Sequence, residues 1–266
     1  MQTRTFQLDP TCSPDSWLLW IGPDQYGSVA LHTATGTIKQ MEYRSFDAYG
    51  TDVFLRHAAE IFADRSAIRQ IRVAFRMDAW CWTPTAFTSE VDAIQKWISP
   101  FWPEQVGHRW VADGHGPTDA TAWVLSPDHI RDQLHHLFSL VEYKHACGLN
   151  LPNATAASTS MELIRMRDQC WICIWRQNQF LYGQPHRIET AADLLYTLSM
   201  LTNRFTLDWS TLDIRLAGQW SSDSELLGTL QSRSNRIQFR SNPWANLLSD
   251  SPAHWFTPLY DLFACA

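Results

Sequence analysis

The order of predicted secondary structure occurs twice in this chain of 266 residues. In each copy the apolar pattern predicts three short strands, then a helix, then a fourth strand. In the first copy the helix starts at Thr51, and the strands fall at 17–21, 27–34, 37–43 and 70–76. In the second copy the helix covers 190–201, and the strands fall at 161–167, 170–176, 179–186 and 212–216. Matching elements lie roughly 140 residues apart, which indicates two copies of one structural unit.

The first copy carries an insertion at about residues 78–125. Its apolar spacing predicts a helix from Ser89 to the residues before Pro100. A hairpin is predicted next, from the runs 108–111 and 121–125. A further helix is predicted with Ser126 as its cap and Pro127 at its first position, followed by a strand at 141–145.

The small polar residues around Pro152, at 148–160, predict the boundary between the halves. We therefore expect a first half at residues 1–150 and a second at 151–240. The second half also contains two predicted helix starts, with Thr190 and Ser222 as caps, and a final strand at 237–239. The apolar tail at 241–266 is expected to pack on the body or on a partner, because its many large apolar side chains would be costly in water.

The composition excludes several classes of protein. A net charge of −6 argues against a protein that follows a nucleic-acid backbone; a local basic patch at Arg233, Arg236 and Arg240 stays open beside an ordinary solvated face. The polar start at 1–7 predicts no signal peptide, and no apolar run approaches the ~18 residues of a membrane span. The scattered cysteines do not resemble a disulfide framework. Together these features predict a cytoplasmic protein.

Three strands, a helix, a strand and a helix, present twice, resemble the actin-like ATPase superfamily. Residues 17–240 further resemble a bacterial family of unknown function with that fold, chiefly in the runs QFLYGQPH at 179–186, TAADLLY at 190–196 and LDIRLAG at 212–218. The resemblance implies an α/β fold of two duplicated ribonuclease H-like halves (βββαβα), with mixed sheets flanked by helices, facing each other across a cleft. Adaptor proteins of pilus assembly, type II secretion and cell division share this architecture.

ATPases of this superfamily hold ATP phosphates in the first hairpin turn of each half. Such turns use Asp for the metal and its waters, and small residues that let backbone amides approach the phosphates. The first turn here keeps Asp24 but contains Pro23, which has no amide donor. The second turn has Asp168 and no glycine, and the loop on the adenine side keeps only Gly218.

The resemblance therefore assigns Asp24, Asp168 and Gly218 to cofactor binding only if a nucleotide binds. With two of the three parts of the phosphate and adenine machinery degraded, ATP binding and hydrolysis are not expected. In that case the chain uses no cofactor. The alternative is that it binds ATP with magnesium.

Other catalytic or metal chemistry has little support. The strand at 17–21 lacks the carboxylates of a two-metal nuclease, and no serine elbow or cysteine–base motif occurs. Cys170 and Cys173 are predicted on opposite faces of one strand and read as structural thiols. Four residues crowd the hairpin tip and could hold a metal, although a polar tip is the simpler interpretation: His108, Asp113, His115 and Asp119. We predict no catalytic residue and no metal site.

The leading hypothesis is a non-catalytic actin-like scaffold or adaptor that binds another protein. It rests on the repeated fold, the degraded phosphate turns and the aromatic residues of the loops and tail. Four loop tryptophans are candidates either for anchoring a partner or for covering the edge of a core: Trp102, Trp220, Trp244 and Trp255. The alternative function is a nucleotide-binding or weakly hydrolysing ATPase that acts as a switch, and homodimerisation through a sheet or the tail also stays open.

Overall fold

The computed structural model describes residues 2–22, 25–45, 68, 70–75, 80–84, 96–98, 100, 107–113, 120–145, 159–177, 179–247 and 253–264. The helix predicted from Thr51, most of the helix predicted from Ser89, the hairpin tip and most of the predicted boundary lie outside these residues. The chain divides into two compact units, Met1–Leu149 with Asp261–Ala266, and Asn150–Tyr260.

The first unit contains two sheets. Its chain begins with the strands β1 Gln2–Gln7, β2 Ser16–Ile21, β3 Gln25–His32, β4 Thr37–Ser45 and β5 Gln70–Phe75. There follow β6 Trp80–Pro84, β7 His108–Asp113, β8 Ala120–Pro127, the helix α1 Asp128–Leu137 and β9 Leu140–His145. The larger sheet has the order β1-β4-β3-β2-β5-β9, and the smaller has the antiparallel order β6-β8-β7.

The second unit is built around one mixed sheet. Its elements are β10 Thr159–Met166, β11 Gln169–Arg176, β12 Gln179–Arg187, α2 Ala191–Arg204, β13 Asp213–Gly218, α3 Glu225–Gln231 and β14 Ile237–Phe239. The strand order is β12-β11-β10-β13-β14. The chain ends with 3-10 turns at Pro243–Leu247 and Ala253–Phe256 and with α4 Thr257–Ala264.

The two large sheets repeat one topology. The order β4-β3-β2-β5-β9 in the first unit corresponds strand for strand to β12-β11-β10-β13-β14 in the second. Both sheets also carry a register shift at the same place, between Ala30 and Leu31 in β3 and between Ile174 and Trp175 in β11. A shared irregularity is stronger evidence of duplication than shared strand order, because bulges are conserved features of related sheets.

The central strands of the second sheet form because most of their side chains are apolar and buried on both faces. In β10 and β11 nearly every residue is buried, which is typical of central strands covered on both sides. The helices α2 and α3 supply Leu194, Leu198 and Leu230 to the same core. Burial of both faces fixes the register, since a slip of one residue would disturb every side chain.

Helix starts agree with the sequence prediction only in part. Thr190 caps α2 in a reciprocal capping box with Asp193, which confirms that prediction. The cap of α3 is Ser224, so the prediction of Ser222 is wrong by two residues. At α1 the prediction is also wrong, because Pro127 occupies the cap position without a side-chain bond and Ser126 still belongs to β8.

Two strands were not predicted. In β1 the residues are mostly polar, with Phe6 as the apolar exception, so no alternating pattern is visible. It pairs antiparallel with β4, from Gln2 opposite Ser45 to Gln7 opposite Gln40. In the second unit the strand equivalent to β4 is β12, which lies at the end of the sheet order and contains Pro185 opposite Trp171. The other unpredicted strand, β6, adds a third strand to the predicted hairpin of β7 and β8.

The described part of the C-terminal segment belongs to the fold. Side chains in it are buried at Trp244, Phe256, Leu259 and Leu262. The buried Asn242 side chain caps the first 3-10 turn by accepting from the Trp244 amide at 2.9 Å. Within the described part of the chain, no helix is long and apolar enough to cross a membrane.

Candidate functional site

The second phosphate-type turn is a tight hairpin. Between β10 and β11 it consists of Arg167 and Asp168 alone, with Arg167 in the left-handed region at φ 57°. A two-residue hairpin that needs a positive φ at its first position usually has glycine there. The Arg165 Nε donates to the Arg167 carbonyl at 3.0 Å, so the arginine backbone is held in place.

Gly218 lies beside this turn at the end of β13. It pairs in parallel register with Arg165, so the structure brings Asp168 and Gly218 to the same end of one sheet. At φ 78° Gly218 is left-handed, and an added Cβ would meet the Arg165 carbonyl oxygen at 2.2 Å. The Gln219 amide then donates to that carbonyl at 2.7 Å. Close backbone approach therefore requires glycine here without any ligand.

The polar groups of this turn are bound to other parts of the protein. The Arg167 amide donates to the Gln219 Oε1 at 3.0 Å. The Asp168 carboxylate lies 3.4 Å from the Arg187 Nε, and the Asp168 carbonyl accepts from the Ile188 amide. An amide that already donates to a side chain must lose that bond before it can approach a phosphate.

The first phosphate-type turn is only partly described. Asp24 and Pro23 lie outside the described residues. The Gly22 amide donates to the Gln25 carbonyl at 2.8 Å, which closes the turn on itself. Gly27 belongs to β3 and pairs with Trp20. The turn is therefore shorter than predicted, because β3 begins at Gln25.

The left-handed arginine predicts a simple stability effect. Arg167→Gly is expected to raise the free energy of unfolding by up to about 1 kcal/mol, since glycine adopts this conformation without steric cost. Urea unfolding followed by circular dichroism measures the change. The matched control is Gln177→Gly in the next hairpin, where the residue is exposed and its backbone is also left-handed. This variant should gain a similar free energy of unfolding. A loss at Arg167 alone would mean that its side chain stabilises the turn by more than the backbone strain.

A second polar feature lies in the first unit, where β5, β7, β8, α1 and β9 line a small, half-open cavity of about 30 Å³. Its wall is mainly apolar on one side, and its lining residues are Phe75, Val111, Ala112, Val124, Ser126, Arg131, Tyr143 and Lys144. The volume suffices for one or two water-sized groups. Sequence reasoning missed this site because its residues come from five separate elements and share no motif.

Two polar atoms in this cavity have no hydrogen-bond partner. The Ser126 side chain is 2% exposed, and its Oγ is unpaired. The Nε of Arg131 is also buried and unpaired. Buried polar groups normally have partners, so two unpaired donors in one cavity indicate a site for a ligand or for water.

Tyr143 holds the Arg131 guanidinium over the cavity. The guanidinium carbon lies 4.2 Å from the centre of the Tyr143 ring, within the range of a cation–π contact. The Tyr143 hydroxyl donates to the Arg131 carbonyl at 3.2 Å. Burial raises the pKa of Tyr143 to about 12, and burial lowers the pKa of Arg131. The site therefore carries a neutral phenol beside a partly desolvated cation.

The cysteines of β11 are structural. Cys170 and Cys173 are both free and buried. Burial raises the pKa of the Cys170 thiol to about 12 and raises that of Cys173 further, so neither is a ready nucleophile or metal ligand. No group of three potential metal ligands occurs among the described residues. Of the residues at the hairpin tip, His115 and Asp119 lie outside that set.

Of the tryptophans interpreted as either partner anchors or covers of a core edge, two belong to the core. Trp220 is fully buried, and its indole Nε1 donates to the Leu163 carbonyl at 3.1 Å. The carbonyl of Trp220 accepts from the indole of Trp255 at 3.1 Å, and Trp244 is 6% exposed. The interpretation as anchors is therefore wrong for Trp220 and Trp244, while Trp102 lies outside the described residues.

The basic patch that the sequence left open beside an ordinary solvated face is largely neutralised. Arg236 pairs with Asp213 at 2.6 Å, and Arg240 pairs with the buried Glu162 at 2.8 Å. Arginines that are paired within the protein do not provide a basic face for nucleic acid.

Several solved protein structures have the same architecture as this chain. No model of a known protein family matches the chain, and no curated protein matches it at a significant level. A protein of Bacteroides thetaiotaomicron described as having an actin-like ATPase fold and unknown function superposes with a TM-score of 0.73, covering 96% of this chain and 97% of its own. The chain has the actin-like ATPase fold. The sequence prediction of that fold is confirmed.

Two further structures support this assignment. In the PilM–PilN complex of type IV pilus biogenesis, the matched chain has 12% identity and a TM-score of 0.63, with coverage of 95% and 98%. The ethanolamine utilization protein EutJ of Carboxydothermus hydrogenoformans has 9% identity and a TM-score of 0.51, with coverage of 97% and 92%. The Bacteroides protein is 11% identical. At these identities the likeness establishes the fold alone.

Proposed function

We propose that this actin-like protein is a non-catalytic scaffold that binds another protein. The observation that carries the proposal is the closed second phosphate turn. Its Arg167 amide donates to Gln219, and its Asp168 carboxylate faces Arg187. Phosphoryl transfer needs free amides and a carboxylate directed at a metal, and here both groups have internal partners.

The comparison with pilus biogenesis supports the second half of the proposal. The PilM–PilN structure is a complex of two proteins, so a chain of this fold is compatible with a protein partner. A scaffold needs a rigid body and a binding surface, and it does not need a closing cleft with nucleotide. The described residues of the second unit meet the first requirement, since the sheet is covered by a continuous buried core.

A calorimetric titration with ATP and magnesium tests the absence of nucleotide binding. We expect no heat of binding at micromolar concentrations, because the Arg167 amide already donates to Gln219 and the turn has no glycine that would let its backbone approach a phosphate. Asp24→Ala and Asp168→Ala serve as matched variants and should behave like the parent chain. Micromolar binding that disappears in either variant would instead identify a nucleotide-dependent switch.

The partner itself is tested by isolating the tagged full chain from the cells that produce it. A scaffold is expected to carry one companion in fixed stoichiometry, and the complex should re-form from the two purified proteins. Mass determination in solution, with and without residues 241–266, separates this result from self-association. A chain that stays monomeric beside every copurified protein would contradict the proposal.

A further inference from the structure

We propose that the cavity formed by Ser126, Arg131 and Tyr143 in the first unit binds a carboxylate attached to a small apolar group. The proposal is independent of nucleotide binding. It rests on the proposed function only in that the expected natural source of the carboxylate is a partner protein. The carboxylate would be recognised by two hydrogen-bond donors that have no partner within the protein and that lie beside an apolar wall.

The charge of the cavity selects an anion. Its lining contains two cationic side chains, Arg131 and Lys144, and no acidic one among the described residues. Asp128 also acts electrostatically on Arg131, but its carboxylate is bound to Arg109 at 2.7 Å. Asp132 acts on Arg131 in the same way, and an anionic ligand in the cavity would add a direct partner for this partly buried guanidinium.

The unpaired donors fix the position of the anion. Ser126 and Arg131 both line this cavity, and the Ser126 hydroxyl and the Arg131 Nε–H are buried without partners. A carboxylate has two oxygens that can accept one bond from each donor, and charge-assisted bonds of this kind are strong. Stacking on Tyr143 limits the rotation of the guanidinium, so little side-chain freedom is lost when the ligand binds.

The wall of the cavity favours a carboxylate that carries an apolar group. Phe75, Val111 and Val124 form apolar lining, which suits an aliphatic side chain next to the charge. A leucine-like residue at the free end of a peptide has both parts.

The test uses the full chain and three probes: N-acetyl-leucine, its neutral amide N-acetyl-leucinamide, and inorganic phosphate. Binding is followed by NMR of the backbone amides at millimolar probe concentrations. We expect N-acetyl-leucine to shift the amides around Ser126 and Arg131, with binding at least about tenfold tighter than that of the amide. Equal binding of acid and amide, no binding of the acid, or tighter binding of phosphate would each overturn the proposal.

Two variants separate recognition from a structural role. Arg131→Gln should weaken N-acetyl-leucine about tenfold, and Arg131→Lys should restore part of the affinity because it keeps the charge. Ser126→Ala should weaken binding while leaving the thermal midpoint unchanged or raised, since the hydroxyl it removes is buried and unpaired. The control is Arg4→Gln on the exposed part of β1, which should bind like the parent chain.

A final arm identifies the source of the carboxylate. An N-acetylated pentapeptide that ends in leucine is compared with its C-terminal amide and with N-acetyl-leucine. Tighter binding of the peptide acid than of N-acetyl-leucine points to a protein terminus, and equal binding points to a small carboxylic acid. Both outcomes support a carboxylate site. Failure of this experiment leaves the ATP titration and the partner isolation unaffected, so the two proposals can fail separately.

Discussion

Trp220→Ala is expected to lower the free energy of unfolding of this protein by about 4 kcal/mol. The indole is fully buried in the core of the second unit. Its removal leaves a large cavity and also leaves the Leu163 carbonyl without its donor at 3.1 Å. The loss of packing and the loss of a buried hydrogen bond therefore act together.

Trp220→Phe is the matched control for this prediction. Phenylalanine fills most of the volume and removes only the indole N–H, so a loss of about 1–2 kcal/mol is expected. Urea unfolding followed by circular dichroism measures both variants. A change below about 1 kcal/mol in Trp220→Ala would contradict the assignment of Trp220 to the core and restore its interpretation as a surface anchor.

Gly218→Ala is expected to cost about 3 kcal/mol or more. The backbone is left-handed at this position, which costs an alanine about 1–2 kcal/mol. The new Cβ would also lie 2.2 Å from the Arg165 carbonyl oxygen, and this atom belongs to backbone that is fixed in the centre of the sheet. Relief of the clash requires β10 and β13 to separate, which strains their parallel pairing.

The control is a second glycine in the same unit. Gly228 lies inside α3, and an added Cβ there meets no atom within 4 Å. Gly228→Ala should therefore raise the free energy of unfolding by up to about 1 kcal/mol, in line with the helix propensities. Opposite signs at the two glycines would establish that backbone geometry, and no bound ligand, requires glycine at position 218. A neutral effect of Gly218→Ala would refute this account.

The sequence predicted the elements whose side chains are buried in a regular pattern. The strands of both copies were predicted to within a few residues, because alternation or continuous apolarity is a direct result of burial. The capping box of Thr190 was also predicted, since both partners lie within one turn. Ser126 failed as a cap because β8 continues into it, and no local signal distinguishes an extended serine from a capping one.

The candidate site was less predictable. The resemblance assigned Gly218 to a ligand, although a local backbone contact with Arg165 already requires it. No pattern in the sequence predicted the cavity around Arg131, because its residues become neighbours only through the pairing of β5 with β9 and of β7 with β8. Such long-range pairing follows from tertiary packing, which a single sequence does not encode as a motif.

The equivalent strands β4 and β12 differ in how their outer edges are protected, and this difference has a consequence for solubility. In the first unit β1 satisfies the outward hydrogen-bonding groups of β4. In the second unit the same stretch of β12 has Pro185, which offers no N–H to an incoming strand. Unprotected sheet margins recruit extended chains and start amyloid-like growth. Each unit therefore has its own protection against that hazard at this edge, the first through an added strand and the second through a missing donor.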